Sequence, residues 1–465
     1  MRAWLLLPAF LAAPVAAQNQ IPAPSQNAQG EVAVTIYNND LALVQDTRQL
    51  DIASGRSRRE FPDVSAQIRP ETVTLTGAGI GIVEQNFDFD LLSPQALIQK
   101  AVGETITLVR TNPATGAETR ERARVLAANG GVVLQIGDRI EVLRDDGLPV
   151  RVIFDRVPEN LRARPTLSVT VQSERGGRRP VTLTYLTPGL AWQADYVALF
   201  DESAGRMDVQ GWITLTNNSG TEYRNADTLL VAGAVGQANQ NYRGRPMQPP
   251  GGPIRDPGTE TSDRERLGDF YLYPLPERTT IANRQTKQVS FLDVGGAPAQ
   301  RAYEYRNPWL GTQEQPQSAN TVLRFSSSRE QGLGDALPAG TVRVYQRDAR
   351  GNPQFVGESA IGHTPMGSEL GLVTGQAFDV KVQPVVERRE RINSARWRTT
   401  MRYRLTNARP QPVTVDLMQS GLWGDTRIVE ESMASQRRSA DDALWRVTVP
   451  ANGEESVTAT FDTRF

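Results

Sequence analysis

Along most of this chain, apolar residues recur at every second position. In EVAVTIYN, Val32, Val34 and Ile36 alternate with more polar neighbours; Asn38-Asn39-Asp40 supplies a turn, LALVQDTRQLDI follows, and PETVTLTG adds another alternating run. A two-residue period turns one face of a strand to the core and the other to water, so antiparallel sheet is predicted over 31–94. The helical exception is LLSPQALIQKAVG, where Ser93 can cap the first free amides and Pro94 suits the first helical position.

A compact meander comes next: ETITLVR, TRERARVLAANGGVVLQI and DRIEVL, turning at Asn129-Gly130 and Gly137-Asp138. Short, closely spaced strands of this kind predict a small SH3-like barrel inserted at 95–158. From Pro165 the strands lengthen through TLSVTVQS, RPVTLTYL, LAWQADYVALF, MDVQGWITLTNNSG and DTLLVAG, predicting a central β-sandwich over 159–236 that resumes over 269–377. Residues 237–268 lose periodicity and fill with Pro, Gly and charge, which predicts a disordered loop or linker. The last segment, 378–465, has the strand spacing of an immunoglobulin-like sandwich. The expected fold is therefore all-β, with several β-sandwiches and one small inserted barrel.

One strand tests the period closely. In GLAWQADYVALF, Leu190, Trp192, Ala194, Tyr196, Ala198 and Phe200 share one face, while Ala191, Gln193, Asp195, Val197 and Leu199 share the other. The wholly apolar even face reads as core, with the Trp and Tyr polar tips reaching backbone partners. A peptide or carbohydrate platform would use the same residue types, so Trp192, Asp195 and Trp212 are kept as candidate binding residues.

Several of these stretches carry a resemblance. YLTPGLAWQADYVALF, GWITLTNNSGTEYRNADTLLVAG and LPAGTVRVYQRDARGNPQFVGE, with the opening IYNNDLALVQDTRQLDIASG, resemble the bacterial domain-of-unknown-function 4139 family over most of the chain. The resemblance implies an exported, β-rich protein and carries over no catalytic residue.

At 465 residues the chain is long enough for two to four domains. A formal charge of −1, with acids and bases interspersed, gives no footprint for nucleic acid. Cysteine is absent and His363 is the one histidine, which excludes thiol nucleophiles, disulfides and Cys/His zinc sites. A Ser-His-Asp triad would need His363, which sits in the loop-like GESAIGHTPMGS with no GxSxG elbow in the chain. Only Lys100, Lys287 and Lys381 are lysines, and none follows a Gly-rich phosphate loop.

The first residues, MRAWLLLPAFLAAPVAAQ, read as a signal peptide over 1–17 with cleavage before Gln18, followed by a disordered leader to residue 30. No later apolar run reaches the length of a transmembrane helix. Export to the periplasm or beyond is expected, and the terminal SVTATFDTRF, ending in Phe465, leaves outer-membrane association as an alternative.

Carboxylate chemistry has three candidate places. Asp195 with Asp201 and Glu202 could form a glycosidase pair, although Asp201-Glu202-Ser203-Ala204-Gly205 reads better as a hairpin. Asp88 and Asp90, and Asp145-Asp146-Gly147, could serve calcium, but neither continues into a ligand loop; both read as turns. The run 387–398, ERRERINSARWR, reads as a salt-bridged exposed strand or turn. No cofactor or metal is expected. The expected role is non-catalytic binding or scaffolding in the cell envelope, with a protein or glycan partner, and the alternative is a carboxylate-dependent hydrolase of envelope glycans.

Overall fold

The computed structural model describes residues 27–88, 92–143, 150–158, 161–233 and 254–464. The fold is all-β, a set of β-sandwiches with a small inserted barrel, and its described α-helix is Pro94–Lys100. The segment 1–17 expected to be a signal peptide, most of the expected leader, the first part of the 237–268 segment, Asp90, Asp145, Asp146, Gly147 and Phe465 lie outside the described residues. No described helix is long and apolar enough to cross a membrane.

The chain divides into two compact units, the smaller built mainly from 88–169 with 59–64. There Ser93 caps the helix as expected, its hydroxyl accepting from the Ala96 amide at 3.0 Å, with Pro94 at the first helical position. Thr105–Thr111, Glu118–Ala127, Val132–Ile136 and Arg139–Leu143 pair in sequence order, and Val150–Ile153 returns beside the first strand. That order, fifth strand next to first, is the arrangement of an SH3-like barrel. Ile106, Leu108, Val125 and Leu134 fill its core, and Gly130 and Gly137 take the positive φ their turns require. Of the leader, Ala28 is held by a hydrogen bond to the Asp63 carboxylate at 2.7 Å.

The larger unit contains both sandwiches. One sheet places Glu31–Tyr37 between Leu41–Ile52, its antiparallel hairpin partner, and Tyr223–Ala232, which runs parallel to it. Gly177–Thr187 extends that sheet beyond Leu41–Ile52. A second sheet runs from Pro353–Ile361 through Gly340–Arg347, Leu190–Asp201 and Arg206–Asn217 to Gln285–Asn307. Val32, Val34 and Ile36 are buried on one side of the central core and the even face of 190–200 on the other.

The second sheet does not stop there. Gln285–Asn307 and Glu369–Asn393, of 23 and 25 residues, run on into the C-terminal sandwich. Each is too long for one small sandwich, so one sheet serves both cores, and the strand passes without a break through the boundary expected between 377 and 378. In the C-terminal half, Val413–Gln419 pairs with the end of Gln285–Asn307 and with Ala443–Val449. The sheet opposite continues as Glu369–Asn393, Arg396–Asn407, Gly453–Arg464 and Asp425–Glu431.

The indole of Trp445 occupies the centre of this immunoglobulin-like sandwich, 5.7 Å from the ring of Tyr403 and edge-on to Phe461 at 6.4 Å. Its N–H donates to the Met433 carbonyl at 3.0 Å and to Glu431 at 3.1 Å, so the buried polar atom is satisfied. A ring of about 200 Å2, at about 25 cal/mol/Å2, contributes on the order of 5 kcal/mol.

One expectation changes here and another holds. Residues 254–268 were expected to lack order with the rest of 237–268, yet Ile254–Asp256 pairs with Glu369 and Leu370, and Arg264 forms a bidentate ion pair with Asp335, Nη2 to Oδ2 at 2.6 Å and Nε to Oδ1 at 3.3 Å. These partners are distant in sequence, so local periodicity carries no trace of them. The 387–398 run does form an exposed hairpin with paired charges, Arg388 with Glu390 and Arg402 with Glu387.

Trp445→Ala should cost about 3–5 kcal/mol of stability, the range for a large buried aromatic. Urea unfolding followed by near-ultraviolet circular dichroism reads this as a lowered midpoint; an unchanged midpoint would contradict the assigned core.

Candidate functional site

The three residues first considered for binding lie on two faces of one sheet. Trp192 is on the core side, 4 % exposed and 6.2 Å from the ring of Tyr273. Its neighbour Tyr196 donates to the Pro338 carbonyl at 2.8 Å, and burial pushes its phenol well above the ordinary range. Asp195 and Trp212 sit directly opposite each other on the outer face. Asp195 is held by Arg343 at 2.9 Å and by the Thr214 hydroxyl at 2.8 Å. Burial alone would raise its pKa, but the Arg343 and Thr214 hydrogen bonds outweigh it and the carboxyl lies below its usual value.

The other acids are occupied as well. Asp201 accepts from the Ser203 and Ala204 amides at 2.9 and 3.1 Å, which makes it the hairpin residue that the sequence suggested. Glu202 is clamped between Arg301 at 2.7 Å and Arg409 at 3.1 Å. His363 accepts from the Ala339 amide at 3.2 Å, and desolvation lowers its pKa. It shares with Trp192, Asn38 and Thr214 a cleft of about 510 Å3. Among the described residues, no three His, Cys, Asp or Glu side chains stand together as metal ligands would.

A different site is assembled at the mouth of the C-terminal sandwich. Trp309, Trp397 and Trp423, three of the seven tryptophans, line one groove of about 290 Å3 with Leu310, Arg389, Thr399, Thr426 and Thr463. Its floor follows from strand register. Arg391, Trp397, Thr463 and Thr426 form one row across four strands, and Arg389, Thr399, Phe461 and Ile428 form the next. Phe461 belongs to the core, so the floor is the core-facing side of the sheet continued into solvent.

Two loops supply the walls. Trp309 follows the long strand Gln285–Asn307, and its carbonyl accepts from the Asn307 side chain at 2.7 Å. Trp423 precedes Asp425–Glu431, and its carbonyl accepts from the Thr426 hydroxyl at 2.8 Å. Gly421 lets these loops meet: its φ is 71°, and a Cβ there would lie 2.3 Å from the Pro308 carbonyl oxygen. The result leaves Trp309 53 % and Trp423 66 % exposed although both loops are fixed. Large aromatics held out in water are costly unless something covers them.

The charge around the groove is one-sided. Arg389 donates to the Leu310 carbonyl and to Thr399, and the guanidinium of Arg391 lies 5.8 Å from the centre of the Trp397 ring. Neither has a carboxylate partner among the described residues. On the opposite face, Arg396 and Arg398 are both tied to Asp462, Arg396 through two bonds of 2.7 and 2.8 Å. Compared with models of known protein families, the chain matches none, and no curated protein matches it either.

Asp462 yields a pH test. The Arg396 hydrogen bonds, offset by burial and reinforced by Arg398, pull its pKa down to about 2. A carboxyl depressed in the folded state stabilises above its unfolded value of about 4 and loses that contribution as pH falls toward 2. Asp462→Asn should therefore lower the urea midpoint at pH 7, with the gap to the parent closing between about pH 4 and pH 2. A gap independent of pH would count against this ion pair.

Proposed function

We propose that this is an exported envelope protein that binds a partner without chemically changing it, and that the tryptophan groove is its binding site. Membership of the domain-of-unknown-function 4139 family, suggested by the opening motifs, is part of the same proposal. The supporting observation is the pair Trp309 and Trp423, held half-exposed or more by loops whose backbones are fixed. Preorganised rings lose little conformational entropy on binding, which is why aromatic residues dominate recognition sites.

A hydrolase reading would ask for a carboxylic acid kept protonated near neutral pH. Asp195 is shifted the other way by Arg343, and Glu202 is neutralised by two guanidiniums. Those arrangements suit structural ion pairs, which favours the binding reading.

The double variant Trp309→Ala, Trp423→Ala should reduce retention on an immobilised envelope fraction at least tenfold. Its urea midpoint should stay close to that of the parent, because truncating exposed side chains away from the core usually changes stability by about 0.5 kcal/mol or less. Undiminished retention would remove the groove as the binding site.

A further inference from the structure

We infer that the groove takes an anionic saccharide, its sugar rings lying against Trp309 and Trp423 and its carboxylates meeting Arg389 and Arg391. The inference rests on the groove being the binding site and names the chemistry of the partner. Three features of the site carry it.

The first is charge. No acid lines the groove, and the two arginines beside it lack carboxylate partners, whereas Arg396 and Arg398 on the other face of the sheet have theirs in Asp462. A guanidinium offers a planar, permanently charged fork that matches a carboxylate, and one stacked near an indole is held in place for it. Arg391 is so placed beside Trp397.

The second is the mixture of surfaces. A sugar ring presents apolar C–H faces and a rim of hydroxyls; the groove presents indole side chains beside the half-buried Thr463 and the Arg389 guanidinium, with the buried Thr399 and Thr426 hydroxyls hydrogen-bonded beneath them. Such apolar walls with a few polar groups are what orient a small ligand.

The third argues against an extended peptide. Strand addition needs free backbone N–H and C=O groups at a sheet edge. Trp397 and Thr463 lie on strands paired on both sides; Asp425–Glu431 is the edge strand of this sheet, and where it borders the groove the Thr426 carbonyl already accepts from Arg437 at 3.2 Å. The groove floor itself therefore offers side-chain faces.

The test is calorimetric titration of the full mature chain with an oligogalacturonate, its fully methyl-esterified counterpart and poly-L-glutamate. The first two have the same sugar rings and differ in charge; the third has the charge without the rings. Binding of the oligogalacturonate at least tenfold tighter than either comparison compound is expected, weakening as salt rises. Trp423→Ala should abolish that binding, and Arg391→Gln should bring the acidic and esterified sugars within about twofold of each other. Arg391 is exposed, so its replacement should leave folding intact.

Equal binding of the acidic and esterified sugars would overturn the anionic assignment. Poly-L-glutamate binding as tightly as the acidic sugar would overturn the saccharide assignment. No binding of either sugar would overturn both, while tryptophan-dependent retention on the envelope fraction would still stand as evidence for the groove.

Discussion

Two strands that outrun their own sandwich hold the larger unit together. Gln285–Asn307 and Glu369–Asn393 pair with central strands at one end and with C-terminal strands at the other. At about 3.3 Å per residue, each would span on the order of 75 Å if fully extended. Register shifts interrupt the ladder between Met207 and Val209 and between Thr321 and Val322 along these strands, and again between Val386 and Arg388 in the C-terminal hairpin beside the groove. The groove depends on this arrangement, because Trp309 leaves directly from one long strand and Arg389 and Arg391 lie near the end of the other.

Arginine–carboxylate pairs reinforce the ladder. Asp416 receives Arg324 and Arg446, Glu202 receives Arg301 and Arg409, and Asp462 receives Arg396 and Arg398. Desolvation offsets much of the attraction in such pairs, so their clearer effect is to specify which strands meet and in what register. At the tryptophan groove, by contrast with Arg396 and Arg398 on the other face of the same sheet, Arg389 and Arg391 are held by carbonyl, hydroxyl and ring contacts and not by an acid.

Most of the fold could be read from the two-residue period. The even face of 190–200 is buried, Ser93 and Pro94 start the helix, and the glycine turns of the small barrel fall where hairpin chemistry requires them. The 254–268 segment could not be read, because Arg264 and Asp335 are 71 residues apart and meet through tertiary pairing alone. The groove was missed for the same reason. Trp309, Trp397 and Trp423 come from two loops and a strand, and nothing periodic links them. A usable signal was present: Asn-Pro-Trp at 307–309 and Gly-Leu-Trp-Gly at 421–424 place tryptophan inside turn-forming sequence, where no core can take it.

The central claim is that these walls are covered when the protein is at work. Hydroxyl-radical footprinting with mass spectrometry, on the protein alone and with an envelope fraction, measures that coverage residue by residue. Phe378, 89 % exposed, provides a reference outside the groove. The expected result is rapid oxidation of Trp309 and Trp423 in the free protein, strong protection of both in the presence of the fraction, and no change at Phe378. Equal oxidation of the two tryptophans with and without the fraction would contradict the account.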